Sequence, residues 1–112
     1  MNDAASGRLA PFLVRKGARQ KLILYLIAEG RTVVELVAMK ISEFKKLELP
    51  DDMAVYRDQV LDEGKFDMAF TYPGGGHIPP TTYYRLIRET AQKVLGRPMS
   101  QAQFRKYITT GS

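Results

Sequence analysis

Two groups of residues in this sequence have the right chemistry to grip phosphate. Arg15, Lys16 and Arg19 crowd into one short stretch, while Arg85, Arg88 and Gln92 recur at three- and four-residue spacing. That second spacing puts its members on one face of a helix. Cationic side chains without local acidic partners neutralise polyphosphate and release its counterions. Arg88, Arg97, Arg105 and Lys106 have no carboxylate three or four residues away. Arg85–Glu89 and Glu89–Lys93 are spaced for exposed ion pairs, which contribute only tenths of a kcal/mol.

The charge distribution points the same way. Residues 1–21 carry +4, residues 22–84 carry −4 and residues 85–112 carry +5. Basic ends around an acidic centre suit a surface that meets nucleic acid. The alternative is a set of solvated helix faces kept basic for solubility.

Other chemistries find little support. There are no cysteines and His77 is the one histidine, so neither a disulfide framework nor a zinc-type site is expected. No cofactor is expected either. Gly74-Gly75-Gly76 lacks the Lys-Ser/Thr of a P-loop and does not enter a helix directly, so it reads as a connector. No nucleophile or orienting carboxylate lies near His77, which is expected to be an exposed loop residue. Asp51-Asp52 and Asp62-Glu63 fall at opposite ends of one predicted helix, too far apart to share an ion. Tyr83 and Tyr84 have the ring chemistry to stack on bases, but helical spacing puts Tyr83 in the core.

The elements that must position these residues follow from local pattern. At 112 residues with 45% hydrophobic content, the chain suits one small domain, expected over residues 11–110 behind a flexible N-terminus of residues 1–10. A first helix is predicted from near Phe12 or Ala18 to Glu29. Its stretch Leu22–Ala28 is apolar on every side and so is the most buried, and Gly30 stops it. Thr32-Val33-Val34-Glu35 fits a capping box in which the Glu35 carboxylate reaches back to the Thr32 amide. The helix it opens turns Val33, Leu36, Val37, Met39 and Ile41 inward. Phe44–Leu49 and Phe66–Tyr72 read as short strands, with a third helix from Asp52 to Glu63 between them. Thr81 or Thr82 caps a helix to Leu95 that Gly96 ends. Ser100-Gln101-Ala102-Gln103 is a second capping box, opening a last helix through Ile108. The fold class expected is therefore α+β, mainly α: about five helices with a small two-strand element. The N-terminus lacks the pattern of a secretory signal and no apolar run reaches membrane length, so a cytoplasmic protein is expected.

This order of parts resembles the catalytic domain of the tyrosine recombinases, the phage-integrase family. Glu35-Leu36-Val37-Ala38-Met39-Lys40 is similar to the family's Glu-Leu-Leu-Ala-Leu stretch, after a buried helix at Leu22–Glu29. Met68-Ala69-Phe70 is similar to its hydrophobic strand, Thr82-Tyr83-Tyr84-Arg85 to the following helix, and Ser100–Tyr107 to its His-x-x-Arg-His helix. The resemblance implies a reduced integrase-like core, covering about Ala18 to Ile108.

The same resemblance shows what is missing. These enzymes cleave DNA with a tyrosine while two arginines hold the phosphate oxygens, charge that the pentacoordinate phosphate requires. The first family arginine falls on Thr32, and Arg31 lies one residue early, about 100° away on a helix. The second falls on Arg105, but its flanking histidines fall on Ala102 and Lys106. The hairpin carrying the family lysine is reduced to Phe44–Leu49, and the chain stops before the tyrosine segment. Tyr107, two residues past Arg105, faces nearly the opposite side. No complete active site is expected and no catalytic residue is assigned.

The function expected is thus a non-catalytic DNA-binding or regulatory protein, from a mobile element such as a phage or plasmid. Its duplex would be held through Arg15, Lys16, Arg19, Arg31, Arg85, Arg88, Arg105 and Lys106. Arg31 and Arg105 act as a pair only if the fold joins their motifs. The alternative is a small protein–protein interaction module that modulates a host or element-encoded partner. A helix-turn-helix over Ala18–Phe44 is disfavoured because Val33–Ile41 is too apolar to face a groove. Residual strand cleavage is the weakest reading.

Overall fold

The run Leu22–Ala28 dictates the centre of the molecule. An all-round apolar helix can be satisfied only by packing on every side. In the computed structural model, which describes residues 1–63 (Glu63 by its backbone), 67–72 and 74–112, all seven residues of that run are buried. They lie in α2 (Ala18–Ala28), which is enclosed by α1 (Asp3–Leu13), α5 (Asp51–Glu63), α6 (Pro80–Leu95) and α7 (Gln101–Thr110). Two short helices, α3 (Val33–Ala38) and α4 (Ile41–Phe44), complete the set, and α3 packs on α6. The described residues thus form a compact all-helical body of seven helices. None of these helices is long and apolar enough to cross a membrane.

The turn after α2 uses glycine for a physical reason. Gly30 sits at φ 115°, where a Cβ would be strained. Its N–H donates to the Ile27 carbonyl and the Arg31 N–H to the Leu26 carbonyl, the paired bonds of a Schellman motif. Gly96 and Gly111 end α6 and α7 in the same left-handed region. At the start of α7 the expected capping box forms in both directions, Gln103 N–H to Ser100 Oγ and Ser100 N–H to Gln103 Oε1. At α3 only half of the expected box forms. Glu35 N–H donates to Thr32 Oγ1, but the Glu35 carboxylate accepts from the Thr32 hydroxyl and pairs with Arg31 instead of reaching the Thr32 amide.

Several expectations are corrected. The stretch expected to be flexible carries α1, capped by Asn2 Oδ1 accepting from Ala5 N–H. Ala5, Leu9 and Phe12 form its buried stripe, and Phe12 meets Phe104 of α7 at 5.0 Å between ring centroids. Of the two starts expected for the first long helix, Ala18 is the one observed, and residues 14–17, where Arg15 takes φ 62°, separate it from α1. Pro79, rather than Thr81 or Thr82, is the N-cap of α6, with Pro80 at its first position; the fixed φ of proline suits that place.

The two-strand element does not form among the described residues. Phe44 closes α4, and its ring packs edge-on against Phe70 at 5.5 Å. The expected second strand, whose first residue Phe66 lies outside the described residues, is reduced to two isolated antiparallel bridges, Lys40 with Met68 and Thr71 with His77. A strand needs a ladder to satisfy successive N–H and C=O groups. Here the pairing ends after Ile41 N–H to Asp67 carbonyl and Ala69 N–H to Met39 carbonyl.

Candidate nucleic-acid interface

Helix α6 has the sharpest division between faces. Tyr83, Ile87, Thr90 and Ala91 are buried, whereas Tyr84, Arg85, Arg88 and Gln92 are exposed. The outer stripe follows from helical geometry, since these four positions fall within about 100° around the axis. The ion pairs that Glu89 could have made with Arg85 and Lys93 are not formed. Arg85 and Arg88 therefore have no carboxylate partner among the described residues. Arg88 and Tyr84 also form one wall of a shallow cleft of about 550 Å³, whose other wall is residues 98–103.

The remaining predicted contacts differ in their surroundings. Arg15, Lys16 and Lys106 join Arg85 and Arg88 in having no ion-pair partner among the described residues; Arg15 and Lys106 are exposed and Lys16 is half-buried. Arg31 is exposed and lies 3.7 Å from the Glu35 carboxylate, a surface pair that holds it weakly. Arg19 is half-buried and lines a small cavity between α2 and α6.

Arg105 is bonded to main chain. Its Nε donates to the Ile27 carbonyl at 3.1 Å and its Nη2 to the Arg31 carbonyl at 2.8 Å. The fold does bring the Arg31 and Arg105 motifs together, and the Arg105 guanidinium holds the turn after α2 through its main-chain carbonyls. A cation at a helix C-terminus also meets the negative end of the helix dipole.

Sequence reasoning missed two other arginines with the same role. Arg8 donates to the Ile108 and Thr109 carbonyls at the end of α7, and Arg57 donates to the Leu47 carbonyl. The spacing of Ala5, Leu9 and Phe12 was the available signal for α1, and hence for the placement of Arg8.

The tyrosines whose acidity the fold moves are shifted away from nucleophilic use. Burial, with a smaller contribution from Tyr72, pushes the Tyr83 phenol up to about 12. Burial, then Glu29 and Asp52, raises Tyr25. A phenolate nucleophile needs the opposite displacement. Tyr107 is half-buried and packs on Phe12 at 6.0 Å. His77 is exposed, in the bridge with Thr71.

Comparison with protein-family models, curated proteins and solved structures gives no match to this chain.

Proposed function

We propose that this chain is a non-catalytic DNA-binding or regulatory protein on a reduced integrase-like core, from a mobile element such as a phage or plasmid. The observation that carries the reading is the outer face of α6, where Arg85 and Arg88 stand exposed with no carboxylate partner among the described residues beside the exposed ring of Tyr84. Arginine forks suit phosphate oxygens, and an exposed tyrosine beside them adds a stacking or packing surface. Arg15, Lys16 and Lys106 extend the positive surface. The integrase-like part of the reading draws support from the order of elements: a buried helix, a capped helix after it, and a last helix whose Arg105 reaches the turn between them. With Thr32 and Ala102 in place of cationic or proton-transferring groups, and Arg105 bonded to main chain, phosphate is held but not cleaved.

The test is a gel-shift titration of a labelled duplex at rising salt. Each neutralised phosphate contributes about −0.9 to the slope of log K against log salt. Arg85→Ala with Arg88→Ala should therefore flatten the slope by about 2 while leaving the circular dichroism unchanged. Absence of duplex binding at low salt would reject the reading. A stoichiometric co-purifying protein would then favour the interaction module.

A further inference from the structure

The cleft between α6 and the chain entering α7 has walls fixed by main-chain bonds. Gly96 ends α6 in the left-handed region, and Gln101 Oε1 accepts from Val33 N–H at 2.7 Å, tying the start of α7 to α3. Gln103 Oε1 accepts from Ser100 N–H at 2.9 Å in the capping box. Both glutamines thus engage main chain through their amide oxygens, and what remains at each tip is a pair of N–H donors. Arg88 adds a guanidinium, which is a donor only. None of the residues lining the cleft is acidic. Its longer polar side chains therefore complement an acceptor-rich anion. Pro98, Met99 and the ring of Tyr84, a residue 42% exposed, add apolar surface beside those donors.

Phosphate contact alone would use the cation and leave the ring without a partner. In a paired duplex both faces of each base are covered by its neighbours, so a side-chain ring stacks only on a base that has left the stack. We propose that this cleft takes a nucleotide from an unpaired stretch of DNA, its base on the Tyr84 ring and its phosphate on Arg88. The inference rests on the nucleic-acid reading of the α6 face and adds the strand state: gapped DNA is held in preference to paired duplex. Every base has a π-face, so the preference is for structure and not for sequence.

Fluorescence anisotropy of the whole chain with three labelled DNAs of equal length tests this. One is a paired duplex, the second has a gap that leaves a short thymidine tract unpaired, and the third carries abasic sites in that tract. The gapped duplex should bind about tenfold tighter than the paired one, the selectivity of one stacked base, and abasic sites should remove the gain. Tyr84→Ala should also remove it while leaving paired-duplex affinity and its salt slope unchanged; Tyr84→Phe should keep it. Both variants alter an exposed side chain, and circular dichroism checks that they fold. Equal binding of gapped and paired DNA, or a gain indifferent to abasic sites or to Tyr84→Ala, would overturn the inference and leave the duplex reading standing. A polyglutamate peptide that displaced gapped DNA as readily as oligothymidylate would also overturn it, because charge alone would then fill the cleft. No binding of any of the DNAs at low salt would overturn both readings.

Discussion

Replacing Arg105 tests whether this side chain is a structural clamp or a phosphate contact. Its two hydrogen bonds are unequal. The Nε bond to Ile27 is partly buried and the Nη2 bond to Arg31 lies at the surface. Hydrogen bonds from a charged donor contribute about 1.5–3 kcal/mol; the surface bond is taken at about 0.5 kcal/mol because water replaces it readily. The Ile27 carbonyl still accepts from Gly30 N–H, so Arg105→Ala does not leave it orphaned, and the low end of the range applies to Nε. The helix-terminus charge adds about 0.3–1 kcal/mol. The expected loss is about 2–3 kcal/mol, or roughly 10 °C of melting temperature at the unfolding entropy usual for a chain this size. Arg105→Lys keeps the charge but has no planar fork to span two carbonyls, so it should recover less than half. Thermal melts followed by far-ultraviolet circular dichroism read both. A drop below about 3 °C for alanine, or full recovery with lysine, would refute the clamp and return Arg105 to the pool of available cations.

Further outcomes follow from the same geometry. Gly30→Ala should cost about 1–2 kcal/mol; no atom lies within 4 Å of the added Cβ, so the loss would come from φ 115° and not from a clash, and urea unfolding would measure it. Ser100→Ala should cost about 1 kcal/mol through the lost cap, in the same assay. Phe12→Ala should cost about 3–5 kcal/mol, since α1 is held on α7 by its ring; a change under about 1 kcal/mol would mean that α1 is dispensable to the core. The Tyr83 phenol ionises near 10.0 when unfolded and about 12 when folded. Its contribution is then complete below pH 10 and is lost as pH rises from 10 through 12, because the unfolded chain gives up its proton first. Alkaline unfolding of Tyr83→Phe should fall less steeply over that window, with Tyr25 leaving a remainder in the same direction.

What was legible in the sequence was what neighbouring residues decide among themselves. Gly30, Gly96 and the Ser100–Gln103 box act within one helical turn, and each does what its local chemistry requires. The seven-residue apolar run of α2 needs burial on all sides whatever surrounds it. Helix α1 was obscured because Gly7 and Pro11 lower its intrinsic propensity, yet docking Ala5, Leu9 and Phe12 outweighs that cost. The strands failed for the opposite reason. Phe44–Leu49 has a pattern compatible with extended chain, but a strand exists only where a partner extends the ladder, and here pairing stops after single bridges. Partners far along the chain were also what hid the roles of Arg8 and Arg105.

Those arginines bear on how the charge of +5 should be understood. Arg8, Arg57 and Arg105 keep their charge while donating to carbonyls, so they still add to the long-range field that draws a polyanion in. Their donors, however, are aimed at main chain, and a phosphate must displace a carbonyl to reach them. Arg85 and Arg88 face no such competition. Steering and contact are therefore carried by different residues, and they separate experimentally. Arg105→Ala should lower the melting temperature and change the salt slope by less than about 1. Arg85→Ala with Arg88→Ala should do the reverse. Were both changes to shift both quantities equally, the division between clamping and contacting arginines would be wrong.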